Sequence, residues 1–241
     1  MHDPRARPVS ILVVAAGRGA RMGADRNKVL LDLDGRPVLT HTIESLAIAD
    51  VPSEIVVVTR PEERPEIEAA TRRAGGSLPS LVFVPGGAER ADSVRNGLEA
   101  ISADTAVVMV HDAARPFVRP RLLVALAEHA AEHGAAIPAL PVVDTLKRDA
   151  DGLVLETVDR AGLSRAQTPQ AFQVKLLRAA LAAPTSAGAT DDAAAVERIG
   201  HAVALVTGDP WNIKITTPED LALARALLPS FLARRQEEMT S

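Results

Sequence analysis

The chain has no cysteine and no tyrosine, and only one tryptophan and four phenylalanines among 241 residues. Without cysteine there is no disulfide, no thiolate nucleophile and no Cys-ligated zinc. The composition suits a reducing compartment, and a cytoplasmic location is expected. With aromatics so scarce, the core has to be built from Ala, Val, Leu and Ile. Neither sign of charge dominates. The formal net charge is -4, which leaves no general basic face of the kind that grips nucleic acid. An anionic ligand must therefore be met by a few local Arg and Lys side chains. No apolar run approaches the roughly 18 to 20 residues that a membrane span requires. The stretch 9–16 is one strand long and runs into Gly17 and Arg18 with no small-residue cleavage pattern. It reads as a first strand, not a signal peptide. Neither nucleic acid nor a membrane is expected as a partner.

What is present is a rhythm. Apolar runs of strand length (10–16, 54–59, 81–84, 106–111, 135–141 and 203–207) alternate with amphipathic runs of helix length (37–49, 64–75, 90–101, 119–133, 174–182, 191–199 and 218–235). The apolar runs are continuous, which marks strands covered by helices on both faces. Strands alternating with helices imply crossover connections and a mostly parallel sheet. The expected fold is α/β, a doubly wound Rossmann-like sheet in a single domain over residues 1–241. One stretch breaks the rhythm. Asp151-Gly152 separates Thr145-Leu146-Lys147 from Leu153-Val154-Leu155, a strong hairpin signal. Such a hairpin has no place in a parallel sheet. An arm over about 141–160 is expected to project, either as a plain surface hairpin or as a dimerisation arm.

In sheets of this kind ligands bind beyond the carboxyl ends of the strands. The first strand is followed by Ala15-Ala16-Gly17-Arg18-Gly19-Ala20-Arg21-Met22-Gly23. Its glycines let the backbone bend and approach a ligand closely, and free N–H groups in such a loop can cradle phosphate oxygens. A dinucleotide fingerprint would need Gly where Met22 stands and an acidic residue at a strand end about 20 positions on, whereas Glu44 falls inside a helix. A P-loop would need Gly-Lys-Ser/Thr, which is missing. The loop carries positive charge instead, at Arg18, Arg21 and Lys28, which suits a triphosphate and a reaction that builds charge on a departing pyrophosphate. A solvated basic loop is the plainer alternative.

Three further segments gather at the same edge. In His111-Asp112-Ala113-Ala114-Arg115-Pro116, Asp112 at a strand end is either a Mg²⁺ ligand or a turn cap, and His111, in no zinc-ligand spacing, reads as structural. In Gly86-Gly87-Ala88-Glu89-Arg90-Ala91-Asp92-Ser93, a glycine turn enters a helix and Ser93 lies in its first turn; a loop with a cap explains this as well as a base-reading site does. In Asn212-Ile213-Lys214-Ile215-Thr216-Thr217-Pro218, Thr217 caps a helix with Pro218 at its first position, while Lys214 has no structural reason to be lysine and is a candidate for the phosphates.

Together these segments resemble the 2-C-methyl-D-erythritol 4-phosphate cytidylyltransferases of the non-mevalonate isoprenoid pathway. The likeness includes Gln167-Thr168-Pro169-Gln170 and runs from near residue 10 to near residue 228. It implies a reaction of CTP with 2-C-methyl-D-erythritol 4-phosphate that releases pyrophosphate, with Mg²⁺ as cofactor. It implies that Arg21 and Lys28 stabilise the transition state and that Asp112 binds the metal. Ala15, Ala16, Gly17, Gly87, Ala88, Ser93 and Ala113 would surround CTP. Arg115, Thr145, Arg160, Thr168 and Lys214 would hold the sugar phosphate, with Arg160 and Lys214 counted among the catalytic residues. It also implies a homodimer in which the arm of one subunit, carrying Thr145 and Arg160, completes the pocket of the other. Three positions depart from the family pattern: Ala88 stands where Asp is frequent, Asn27 where Pro is common, and Trp211 where a smaller or polar residue is commoner. The nearest rival is a cytidylyltransferase for ribitol 5-phosphate. A non-catalytic nucleotide-binding protein fits less well, because Arg21, Lys28, Asp112 and Lys214 are all retained.

Overall fold

The computed structural model describes residues 8–17, 27–48, 51–183 and 188–240, apart from the side chains of Met239 and Thr240. In chain order the elements are β1 (Val9–Val14), β2 (Asp32–Leu33), β3 (Arg36–Pro37), α1 (Val38–Ala47), β4 (Pro52–Thr59), α2 (Arg64–Arg72), β5 (Ser80–Pro85), α3 (Arg90–Ala100), β6 (Val107–Asp112), α4 (Pro120–His133), β7 (Ala135–Pro141), β8 (Leu146–Ala150), β9 (Leu153–Val158), β10 (Ser164–Ala166), β11 (Gln170–Gln173), α5 (Val174–Ala182), α6 (Asp192–Arg198), β12 (Ala204–Thr207) and α7 (Pro218–Thr240). The main sheet runs β10-β7-β11-β6-β1-β4-β5, with β12 also paired to β7. β1, β4, β5 and β6 are mutually parallel, and β12 is parallel to β7. The sheet is mostly parallel, as the sequence predicts.

The continuous apolar runs have the expected cause. Along β1, Ile11 and Val13 pack on one side of the sheet with Leu39 and Ile43 of α1 and Leu126 of α4. Leu12 points the other way, among Val94 and Leu98 of α3 and Leu177 of α5. Alternate residues of a strand face opposite sides, so a strand with helices on both sides has no polar position to spare.

Two short strands, β10 and β11, are antiparallel to β7, and the sequence reading does not contain them. β11 threads between β6 and β7 after the arm. It offers only Ala171 and Phe172 as apolar residues between two glutamines, too short a signal for periodicity to register. α7 continues to Thr240, past the expected end at 235.

The hairpin prediction holds in detail. Asp151 has φ 52° and Gly152 has φ 80°, the two positive values that a type I′ turn requires. β8 and β9 pair only with each other among the described residues. Leu153, Val154 and Leu155 are 72, 63 and 62 % exposed. Because neighbours on a strand face opposite ways, apolar groups lie bare on both faces of this arm.

The order of the strands opens the site. From β1 the chain moves to β4 and β5 on one side, then to β6 on the other. The connections diverge at the carboxyl ends of β1 and β6, and such a divergence leaves a crevice. Behind it, α7 is held by a third apolar cluster in which Phe117 and Phe231 have ring centres 4.9 Å apart, among Leu33, Val38, Ile215 and Leu228. Truncating Phe231, which is 2 % exposed, empties the centre of that cluster. Phe231→Ala is expected to lower unfolding stability by about 3–5 kcal/mol. In urea titrations this is read as a lower midpoint with an unchanged slope; an unchanged midpoint would show that α7 contributes nothing to the cooperative unit.

Candidate active site

At the β1/β6 divergence lies a cavity of about 540 Å³. Ala15, Ala16 and Gly17 from the end of β1, Gly87, Ala88 and Ser93 from the β5–α3 connection, and Ala113 beyond β6 all border it. So do Lys28, Asp112 and Lys214. These residues, drawn from across the sequence, are therefore brought together around one cavity. Arg21 lies outside the described residues. Arg115 and Thr168 sit behind the cavity wall instead of on it, and Thr145 and Arg160 are exposed on and beside the arm, where Arg160 donates to the Val143 carbonyl.

Parallel pairing sets the walls. The ladder continues past the strand ends through Ala15 N–H to Val58 O at 2.8 Å, Gly86 N–H to Thr59 O at 2.8 Å and Ala113 N–H to Val14 O at 3.3 Å. Gly86 is required by proximity, since a Cβ there would lie 2.6 Å from the Ala16 Cβ and 3.2 Å from the Ser93 Oγ. Ser93 is buried; its hydroxyl accepts from Gly87 N–H at 3.0 Å and donates to Glu89 O at 3.2 Å. It holds the glycine turn in shape. Glu89 and Asp92 form a reciprocal capping box at the start of α3.

Five polar residues that line this site are not among those expected from the sequence: Asn27, Arg60, Glu89, Arg90 and Thr216. Asn27 donates to Ala15 O at 2.9 Å and to Glu63 Oε2 at 2.8 Å, and its own oxygen accepts from Val29 N–H at 3.3 Å. It thereby caps the short 3-10 turn that carries Lys28, which proline at this position could not do by side chain. Arg60 borders the cavity and is braced by Glu62 and Glu63. It follows β4 at the same sheet edge as the other loops, a signal present in the sequence. Arg90 also borders the cavity, with Nη1 2.7 Å from Asp192 Oδ2. Asp192 is 1 % exposed and lies far away along the chain, so only the fold reveals this pair.

Charge concentrates on Asp112. Lys214 Nζ lies 2.8 Å from its Oδ2 and Arg115 Nε 3.4 Å away. Burial by itself would raise the carboxyl pKa, but Lys214, Arg115 and Arg90 overcome that and hold it well below the usual range. Burial pushes Asp192 up, against the pull of Arg90. His111 is fully buried, and burial lowers its pKa to about 4 against the opposing Arg115 carbonyl. It is neutral and structural, as its lack of metal-ligand spacing suggests. Its Nδ1 is 3.0 Å from Thr168 Oγ1 and its Nε2 3.0 Å from Arg115 O. Lys214 reaches the cavity from a loop fixed by Ile215 N–H to Ala114 O at 2.9 Å and by the cap expected at Thr217, which accepts from Asp220 N–H at 3.3 Å.

The close approach at Gly86 gives a test of this wall. A methyl group there would push apart Ala16 and Ser93. Gly86→Ala is expected to weaken CTP binding about tenfold, in line with the cost of overpacking. Isothermal titration of the purified variant reads this directly, and unchanged affinity would remove these loops from the nucleotide site.

Comparison with known proteins places this geometry. A family model described as 2-C-methyl-D-erythritol 4-phosphate cytidylyltransferase matches residues 9–230. The chain is 45 % identical over 225 residues to a protein of that name from Geobacillus kaustophilus (strain HTA426), covering 92 % of this chain and 97 % of that one. It is 48 % identical over 91 % of its length to the bifunctional enzyme IspD/IspF of Rhodospirillum rubrum, of which it spans 56 %. The crystal structure of 2-C-methyl-D-erythritol 4-phosphate cytidylyltransferase from Thermus thermophilus superposes with a TM-score of 0.73 at 38 % identity, covering 91 % of this chain and 98 % of that one. The 4-diphosphocytidyl-2C-methyl-D-erythritol synthase from Anaerococcus prevotii DSM 20548 gives a TM-score of 0.79 at 30 % identity, covering 94 % of this chain and 100 % of that one. The chain belongs to the 2-C-methyl-D-erythritol 4-phosphate cytidylyltransferase family.

Proposed function

We propose that this chain transfers the cytidylyl group of CTP to 2-C-methyl-D-erythritol 4-phosphate. The products are 4-diphosphocytidyl-2-C-methyl-D-erythritol and pyrophosphate, in the synthesis of isoprenoid precursors. The observation that carries the reading is the cavity at the β1/β6 divergence of a chain of this family, where small residues from three loops are joined by the cations Lys28, Arg60, Arg90 and Lys214 and the carboxylates Glu89 and Asp112. An oxygen of the acceptor phosphate forms a bond to the α-phosphorus of CTP, and the bond to the bridging oxygen breaks as pyrophosphate leaves. The attacking phosphate is already an anion at neutral pH, so no strong general base is needed. The work lies in aligning two anions that repel each other and in neutralising the charge of the in-line transition state. Lys28 and Arg21 are assigned to the triphosphate. The base meets the turn at Gly87 and Ala88, where Ala88 offers only its backbone. Lys214 and Arg115 stand on the acceptor side of Asp112.

Mg²⁺ is proposed as cofactor, held by Asp112. Among the described residues no three His, Asp or Glu side chains converge as a metal cage. A single ionised carboxylate with the remaining ligands drawn from phosphate and water is a normal Mg²⁺ arrangement. When bound, the ion would neutralise charge on the triphosphate. A homodimer is proposed from the arm, whose bare Leu153, Val154 and Leu155 would be covered by a second copy, with Thr145 and Arg160 reaching that copy's cavity. A cytoplasmic location rests on the cysteine-free composition. No helix among the described residues is long and apolar enough to cross a membrane.

Pyrophosphate release from CTP, measured with 2-C-methyl-D-erythritol 4-phosphate and ribitol 5-phosphate side by side, is expected to favour the first. Equal use of both would overturn the acceptor assignment. Lys28→Ala is expected to lower turnover about 10²- to 10³-fold with unchanged circular dichroism, and near-normal turnover would remove Lys28 from the transition state. Arg21→Ala and Arg160→Ala subunits, each impaired alone, are expected to regain part of the activity when mixed. The absence of any recovery would argue that the sites are not shared.

A further inference from the structure

Lys214 approaches Asp112 from the loop that joins β12 to α7, and that loop is held from two directions. On the sheet side, Gly208 N–H donates to Ala139 O at 2.9 Å and Arg115 Nη1 donates to Asn212 O at 2.8 Å. The Gln167 amide exchanges two bonds with the Asp209 backbone, at 2.8 and 3.1 Å. On the outer side the loop meets the last turns of α7. The guanidinium carbon of Arg234 lies 4.2 Å from the centre of the Trp211 ring, where a cation is attracted by the face of an indole. One helical turn on, Glu238 pairs with Arg119, whose Nη1 is 3.4 Å from Asp209 Oδ2. Arg234 and Glu238 are four residues apart and so share one side of the helix. Both lie past residue 230, the last that the family model matches.

The two contacts converge on the lysine. The second oxygen of Asp209 accepts from Trp211 N–H at 2.9 Å, so the carboxylate that Arg119 faces also sets the backbone of Trp211. The carbonyl of Trp211 accepts from Ile213 N–H at 2.7 Å, and Ile215 N–H donates to Ala114 O at 2.9 Å. Lys214 stands between these two bonded residues. One pin belongs to the turn after β6, the other to Trp211. A shift of the indole therefore moves one of the two points that fix the lysine backbone, and with it the 2.8 Å contact between Lys214 Nζ and Asp112. Neither Trp211 nor Arg234 lines the cavity, so both act through the lysine.

We propose that Trp211 and Arg234, backed by Arg119 and Glu238, are positioning residues for the proposed transfer. The end of α7 clasps the loop 208–214 and holds Lys214 over Asp112 on the acceptor side of the cavity. The inference rests on the function assigned above for its kinetic readouts but not for its structural one.

Trp211 is the chain's one tryptophan and there is no tyrosine, so the emission of the unliganded protein reports this ring alone. Arg234 is exposed, and Arg234→Ala removes the group that covers the indole face. The acrylamide quenching constant is expected to rise about twofold in that variant; an unchanged constant overturns the clasp. In turnover, Arg234→Ala is expected to lower kcat/KM for 2-C-methyl-D-erythritol 4-phosphate about two- to fivefold, the worth of one cation–π contact. CTP affinity, measured by calorimetry, stays within about 1.5-fold, and Arg234→Lys recovers about half of the lost kcat/KM. No loss, or equal losses for CTP and the acceptor, overturns the positioning role. In a Lys214→Ala background, Arg234→Ala is expected to add less than about 1.5-fold, because both act by one route. The same loss in both backgrounds would make Arg234 a general stability contact and overturn the proposal. If Lys214→Ala protein shows no measurable turnover, the split between acceptor and CTP in the single variant decides. If wild-type protein releases no pyrophosphate from CTP and the acceptor, the functional reading fails while the quenching result still decides the clasp.

Discussion

The structure hangs from β1. Its backbone pairs with β4 along one edge and with β6 along the other, and both pairings are parallel. Parallel strands cannot be joined by tight turns, so each connection must climb over a face of the sheet as a helix. That single constraint produces the helices on both faces and the apolar composition of the strands. It also brings Ala15, Gly86 and Ala113 to one edge, through hydrogen bonds that extend the ladder beyond the strands. No side chain has to be placed by a specific contact for the crevice to exist. The chemistry is then added to an opening that the backbone already supplies.

That chemistry is an imbalance of charge. Lys28, Arg60, Arg90 and Lys214 border the cavity and Arg115 stands behind it, against two lining carboxylates, Glu89 and Asp112. Asp192 sits further back against Arg90. Removing so many charges from water is costly unless each has a partner, and in the ligand-free protein Asp112 partners two cations at once. A triphosphate bound there takes over part of that pairing. These cations favour the carboxylate form of Asp112 in the ligand-free protein.

Much of this was legible in the sequence because the relevant signals are local. Continuous apolar runs marked the parallel sheet, Asp151-Gly152 marked the hairpin, and small or charged residues after strand ends marked segments that line the cavity. What was not legible depends on distance along the chain. Nothing near Arg90 announces Asp192, and nothing near His111 announces Thr168, because these pairs are joined only in the folded chain; for the second, β11 must insert beside β6. That insertion rests on Ala171 and Phe172, too few residues for a periodic pattern. Thr168 illustrates the difference most clearly. A threonine in a polar segment reads as a ligand contact, and no local signal announces that its hydroxyl also lies 3.1 Å from Asp112 N and 3.0 Å from His111 Nδ1. Ser93 follows the same pattern: it borders the cavity, yet its hydroxyl holds Gly87 and Glu89.

Asn27 has a broader effect than capping the turn at Lys28. Its bond to Ala15 O joins positions twelve apart in sequence at 2.9 Å, and Ala15 is itself held to the sheet by its N–H to Val58 O at 2.8 Å. Lys28, the next residue after Asn27, is therefore referenced to the strand ladder through one side-chain amide. The lysine keeps an address set by the sheet.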